Sequence, residues 1–393
     1  MAIDGSRAIW VDYLRSFITL LVVGHHAALA YPTFAFFDPT HYIYSTAPIV
    51  DSGRWAVMDR FIGFNDVFFM PLMFFVSGLF VYRGLRRKGS QVYLKDRFVR
   101  LGIPFLIAEL LIIPLAYLPS FYLSTHSTSL AGFIKDYLNN QQWPVGPPWF
   151  IWLLLAFDAV TALVYWLFPS FFSILGDKLV QLSRKPFHFG LLVYGCAAVS
   201  LIPLSLWVGQ YTWIGNWGPF DFQLNRVVFY LLFFWVGVGL GSADWQPNLF
   251  QHDQLFNRHW MVWLLLSLFA YWLVIQVSAL GENWVKRGMI SSVEGYFLYD
   301  LAFVASCLAS MAACLSIFRQ TIRKPSVGWA NLSGIAYGIY IVHYPFVTWL
   351  QFSLLGASLP VLVKFLVVFV GALGLSWLSV SLLRKNSLIA QVL

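Results

Sequence analysis

Charge is scarce in this chain: 11% of its 393 residues are Asp, Glu, Lys or Arg, against 59% that are hydrophobic. Such a composition cannot clothe a soluble domain, and a mean hydropathy of +0.71 places the chain among polytopic membrane proteins. Cysteine is nearly absent. Cys196, Cys307 and Cys314 all fall in apolar segments, which excludes a disulfide framework. There is no internal repeat and no low-complexity tract, so the inverted-repeat signature of many transporters is not visible. The formal net charge of +8 does not point to nucleic acid, because the positive residues sit in short loops beside hydrophobic spans, where they set membrane orientation.

What is present is a series of apolar windows of about 20 residues. Ten spans are expected near 11–31, 61–83, 98–120, 149–168, 188–208, 223–241, 259–279, 296–318, 330–351 and 360–383. Arg86, Arg87, Lys88, Lys95, Arg97, Lys178, Arg184, Lys185, Arg258, Arg319, Arg323, Lys324, Arg384 and Lys385 then share one side, which predicts cytoplasmic termini at both ends. The expected fold is an all-α bundle of about ten transmembrane helices, one integral-membrane domain over 1–393. Ala28-Leu29-Ala30 has the form of a signal-peptidase site, but Arg15, His25 and His26 interrupt the preceding apolar run, so the segment is expected to be retained. The opposite loops, 32–60, 121–148, 209–222 and 280–295, are rich in Pro, Trp, Tyr, Asn and Gly. Those aromatics fit an interfacial belt, and together they would also suit the mouth of a carbohydrate site.

The first span, "VDYLRSFITLLVVGHHAALAY" (11–31), carries Asp12 and Arg15 at one end and His25 and His26 towards the other. Ionisable groups in such a helix are costly unless paired or solvated. Arg15 and His26 lie roughly 16 Å apart along a helix and near one face, whereas His25 is turned away by about 80°. A cation at one membrane face is thus joined to an imidazole deep in the membrane, as suits a long anionic molecule threading inwards. In "FFMPLMFFVSG", Ser77 and Gly78 form a notch for a neighbouring helix or a ligand, and Asp66 stands near the outer end. In "LKDRFVRLGIPFLIAELL", Arg97 and Arg100 share a face; alone they read as a positive-inside anchor, and joined by Arg15 at the same membrane face they would clamp phosphates. Glu109 and Asp158 reach mid-membrane depth, where either would orient a histidine or form an internal ion pair. In "SGIAYGIYIVHYPF", His343 is expected at a depth similar to that of His26, with Tyr337 and Tyr340 on neighbouring turns.

These motifs resemble the acyltransferase family 3 membrane O-acyltransferases. The D-x-x-R start and R-x10-H spacing, "FFMPLMFFVSG", the R-x-x-R of "DRFVRLGIP", "PPWFIWLLLAFD", "LLFFWVGVGLG" and "YGIYIVHYP" occur in that family's order across nearly the whole chain. Within the family the chain looks closest to the glucan biosynthesis protein C type, a succinyltransferase acting on periplasmic glucans. The resemblance implies a multi-pass enzyme of the bacterial inner membrane that moves an acyl group from cytoplasmic acyl-CoA (acetyl-CoA or succinyl-CoA, with no metal) to a hydroxyl of an extracytoplasmic glycan. Arg97 and Arg100 would bind the CoA phosphates, with Arg15, Arg86, Arg87 and Ser77 assisting. His26 would be the base, with Asp12 and His343 as further catalytic residues, His343 orienting the acceptor or stabilising the oxyanion. Glu109, Asp158, Asp66 and Tyr340 would orient groups or contact the acceptor. A homodimer is compatible with this reading, and the lipid bilayer is its surroundings. One departure stands out: many relatives carry His or Arg where this chain has Phe69. Two rival readings are a proton-coupled secondary transporter using His26, Glu109 and Asp158, and a non-catalytic subunit of a polysaccharide-export complex.

Overall fold

The computed structural model describes residues 9–214, 217–243 and 255–390. Among them the chain is helical, with one isolated bridge between Trp213 and Gln223 and no longer strand. Among the described residues ten long helices occur where the apolar windows predict them: α1 (Ile9–Ala28), α2 (Ala56–Gly78), α3 (Ser90–Thr125), α4 (Trp149–Leu167), α5 (Pro186–Val208), α6 (Val227–Ser242), α7 (Trp260–Lys286), α8 (Ser292–Thr321), α9 (Val327–Ser353) and α10 (Val361–Leu383). Eight of these segments are long and apolar enough to cross a membrane; α1 and α9 are not in that set. The reason is their polar content: α1 holds Asp12, Arg15, His25 and His26, and α9 holds His343 and Gln351. α1 packs against α2, α8, α9 and α10. The first window also ends earlier than expected, at Ala28 rather than Tyr31.

Burial sorts the helices. In the most apolar stretch of the α2 segment 78% of residues are buried, against 11% for α7, so α2 is central and α7 peripheral. Small residues bring α2 and α6 into backbone contact. A Cβ on Gly78 would lie 2.2 Å from the Phe234 carbonyl oxygen, and one on Gly237 would lie 2.2 Å from that of Phe75. Gly78 is therefore a helix-packing residue, while its neighbour Ser77 faces a cavity.

Proline shapes α3. The helix widens into π turns at Phe98–Gly102 and Ala108–Ile112, each just before a proline, Pro104 and Pro114. A proline has no N–H for the carbonyl four residues back and crowds it. Four residues before Pro104, the Arg100 carbonyl accepts from the Tyr337 hydroxyl at 2.8 Å. Pro119, inside an α-helical stretch, cannot donate to the Leu115 carbonyl, which accepts from Trp349 Nε1 at 2.9 Å instead. Both donors lie on α9, so the broken ladder of one helix becomes its attachment to the next. This attachment fixes where Arg100 stands.

Candidate active site

Two cavities of similar size open in the bundle, one at each end of α1. The first, of about 570 Å³, is lined by Asp12, Arg15, Arg97, Arg100 and Arg384, with Ser77 and Tyr337 among its other walls. The start of α1, the first turns of α3 and α9 and the end of α10 converge there. Arg97 is held from behind. Its Nε donates to the Tyr93 hydroxyl at 2.8 Å and lies 3.1 Å from Asp158 Oδ2, while Tyr93 donates to Asp158 Oδ1 at 2.5 Å. Asp158 is fully buried, so this bidentate support balances a guanidinium and aims it without blocking its terminal nitrogens. Arg384 donates to the Gly334 carbonyl oxygen across the same cavity.

The second cavity, of about 540 Å³, is lined by His25, His26, Asp66, Phe69, Trp149 and Trp213 among others. Tyr340 lines both cavities. Its hydroxyl donates to the Pro147 carbonyl oxygen in "PVGPP", a loop turned by Gly146 at φ 53°, a left-handed conformation that glycine adopts freely. The end of α1 is anchored by Gln351, whose Nε2 donates to the carbonyls of His26 (3.1 Å) and Ala27 (3.2 Å), which would otherwise be orphaned at a helix C-terminus.

The two histidines expected at matched depth are in contact. His343 Nδ1 lies 2.7 Å from the Tyr340 carbonyl oxygen, and His343 Nε2 lies 3.1 Å from His26 Nδ1. A carbonyl only accepts, so we assign the proton of neutral His343 to Nδ1, which makes its Nε2 an acceptor. His26 must then donate from Nδ1, and its Nε2 lone pair is left for the cavity. The chain of two hydrogen bonds thus fixes the tautomer of the outer ring, the work that a buried carboxylate does in a hydrolytic triad.

His343 is fully buried, with both ring nitrogens in hydrogen-bond contact, one with the Tyr340 carbonyl and one with His26. Asp12 lines the arginine cavity, about 21 Å along α1 from His26, and is not part of the histidine pair. Asp158 orients Arg97, not a histidine. Glu109 is buried beside the Trp143 indole, among the phenols of Tyr117 and Tyr137. Arg86 and Arg87 lie exposed on the short helix Val81–Lys88 and do not line the cavity. His25 is not turned out of the centre: it lines the same cavity as His26, but its ring stacks on Phe69 at 5.1 Å and its Nδ1 has no hydrogen-bond partner. Asp66 lines that cavity while paired to Arg226 at 2.8 Å. The sequence reading missed Arg384 as a cavity residue, since a basic tail reads as a topology signal. It also missed Trp149 and Trp213, which no spacing distinguished from the other aromatics.

Comparison with known proteins adds the family. The acyltransferase domain model (acyltransferase family 3) matches residues 8–381. Proteins named "Glucans biosynthesis protein C" from Shigella dysenteriae serotype 1 and from Escherichia coli O139:H28 are each 25% identical to the chain, over 354 and 357 residues. Each match covers 87% of this chain and 83% of the relative. No solved structure matches. The apolar helices, the paired histidines and the match over nearly the full length lead to one conclusion: this chain is a membrane acyltransferase and belongs to acyltransferase family 3.

Proposed function

We propose that the protein transfers an acetyl or succinyl group from acyl-CoA, bound in the arginine cavity on the cytoplasmic side, to a hydroxyl of a glycan entering the histidine cavity from outside the inner membrane. The observation that carries this reading is the meeting of two chemically opposite cavities at Tyr340, beside His26. Guanidiniums suit the phosphates of CoA. Aromatic faces and a few polar groups suit a sugar, and the relatives' name, which refers to glucans, supports that acceptor class. On this reading all ten long helices cross the membrane, with α1 and α9 shielded inside the ring of the others and both termini in the cytoplasm.

His26 Nε2 takes the proton of the acceptor hydroxyl as its oxygen attacks the thioester carbonyl carbon. Imidazole titrates near neutral pH and can hold that proton transiently. The C–S bond then breaks, the ester forms, and the thiolate of CoA regains the proton from His26. His343 keeps the His26 ring turned with Nε2 outwards throughout. The roughly 16 Å between Arg15 and His26 along α1 is the path along which the pantetheine arm extends.

The test uses purified full-length protein with acyl-CoA and a linear glucan, following release of free CoA and, by mass spectrometry, the acylated glucan. The expected result is glucan-dependent CoA release that His26→Ala abolishes. A protein that leaves acyl-CoA intact under these conditions is not an acyl-CoA-dependent transferase, and the transporter reading then takes its place.

A further inference from the structure

Away from the histidine pair, a third cavity of about 420 Å³ opens between the loop after α5 and the hairpin joining α7 to α8. Its lining includes Gln210, Tyr211, Glu282, Lys286, Tyr296 and Tyr299. Aromatic faces alternate there with side-chain amide, carboxylate and ammonium groups, and Lys286 and Glu282 are 3.8 Å apart at its rim. Tyr296 is 46% exposed and Tyr211 54% exposed, and the Tyr211 and Tyr299 hydroxyls are joined at 2.9 Å. Half-exposed rings walled by hydrogen-bonding side chains match the two kinds of surface a sugar ring presents, apolar faces and hydroxyl edges.

This groove lies near the histidine cavity along the chain. Tyr211 lines the groove and Trp213, two residues on, lines the histidine cavity, while Thr212 between them is tied back to the Val208 carbonyl at 2.8 Å. Two residues span at most about 7 Å, so the two sites are neighbours along one ledge. Tyr211 takes φ 61°, a conformation uncommon for a residue with a side chain, which fits a ring held in a set direction. Beneath the ledge, Arg226 bridges the two: it pairs with Asp66 of the histidine cavity and lies 5.5 Å from the Tyr211 ring centre.

We propose that this groove is a second carbohydrate subsite, which holds a neighbouring stretch of the same glycan chain whose reacting sugar sits beside His26. The inference rests on the proposed glycan acceptor and deepens it: the favoured substrate is an oligomeric or polymeric glucan, held at two places at once, so affinity rises with chain length. The groove contributes binding of the acceptor and no chemistry.

Binding can test this without turnover. Affinities of a glucan disaccharide and of a longer linear glucan oligosaccharide would be measured on detergent-solubilised wild type, Tyr296→Ala and Tyr296→Phe. Tyr296 is half-exposed, so its truncation leaves the fold intact. Tyr296→Ala should weaken the longer glucan about tenfold and the disaccharide hardly at all, and Tyr296→Phe, which keeps the ring, should restore wild-type affinity. Equal weakening of both glucans, or weakening of neither, overturns the subsite. So does an effect that follows added anionic phospholipid instead of glucan length, since that assigns the groove to a lipid headgroup. Length-dependent binding through Tyr296 in a protein that transfers no acyl group supports the subsite and overturns the catalytic reading instead.

Discussion

The two cavities at the ends of α1 enclose nearly equal volumes, about 570 and about 540 Å³, but are built on opposite principles. The arginine cavity is made by charge: four guanidinium side chains line it, and one of them is trained on its target by a fully buried carboxylate. The histidine cavity is made by shape. Its walls are aromatic rings and a proline-rich loop, and one of its two lining carboxylates, Asp66, is neutralised by Arg226, which does not itself line the cavity. The contrast is what a two-substrate enzyme needs if its substrates come from different sides. An anion is attracted to one end and excluded by nothing it must cross, while a neutral polyol is sorted at the other end by stacking and hydrogen bonds.

Substitutions can break that contrast in graded steps. The largest effect belongs to the junction. His26→Ala should lower turnover by about a thousandfold or more while acyl-CoA affinity stays near wild type, because the base is lost and the phosphate clamp is untouched. His25→Ala, which loses a ring stacked on Phe69, should cost less than about tenfold. Equal losses for the two would undo the tautomer assignment.

Next comes the charged end. Arg97→Ala and Arg100→Ala should each weaken acyl-CoA by about 10- to 100-fold, the range for one charge-assisted contact, with glucan affinity unchanged. Asp158→Asn should weaken the donor less, about tenfold, since Arg97 remains but is no longer aimed. Isothermal titration with CoA and with glucan separates the two ends directly. If the arginine variants bind CoA as wild type does, the cluster is only a topology anchor.

His343 gives a sharper test. Gln can still accept the His26 Nδ1–H, so His343→Gln should lower turnover by about tenfold. Phe cannot accept it, so His343→Phe should cost about a hundredfold, with donor affinity normal in both. Identical rates for the two variants would mean that the ring is held by packing alone. The smallest effect is expected at Tyr337→Phe. It strips the Arg100 carbonyl of its substitute donor and should reduce stability by about 1 kcal/mol with about a twofold change in donor affinity. Thermal unfolding in detergent and donor titration would read the two quantities separately.

How much of this was legible beforehand depends on whether the signal was local. The long helices were, because apolar length is a property of a stretch of chain, and α2 or α8 could be read from its own residues. The candidate pairing of Arg97 with Arg100 and the depth match of His26 with His343 were also legible, since helical rise and turn convert spacing into position. The direction in which His343 acts was not. Its role turns on which nitrogen meets Tyr340 and which meets His26, a matter of two helices' relative rotation. For Asp158 the sequence left open a histidine or an internal ion pair; depth along α4 could not choose between them, and the structure pairs it with Arg97.

By itself, then, the sequence determined the membrane class, the helical periodicity, the distance from cation to imidazole along α1 and the kinship of the chain, because each is written in one dimension. Only the tertiary structure decided that α1 packs among four other helices, that carbonyls in the proline-broken α3 accept from side chains of α9, and that two histidines more than 300 residues apart share one hydrogen bond. Those facts depend on how helices rotate about their own axes to bury polar groups, and that rotation is set by every neighbour at once.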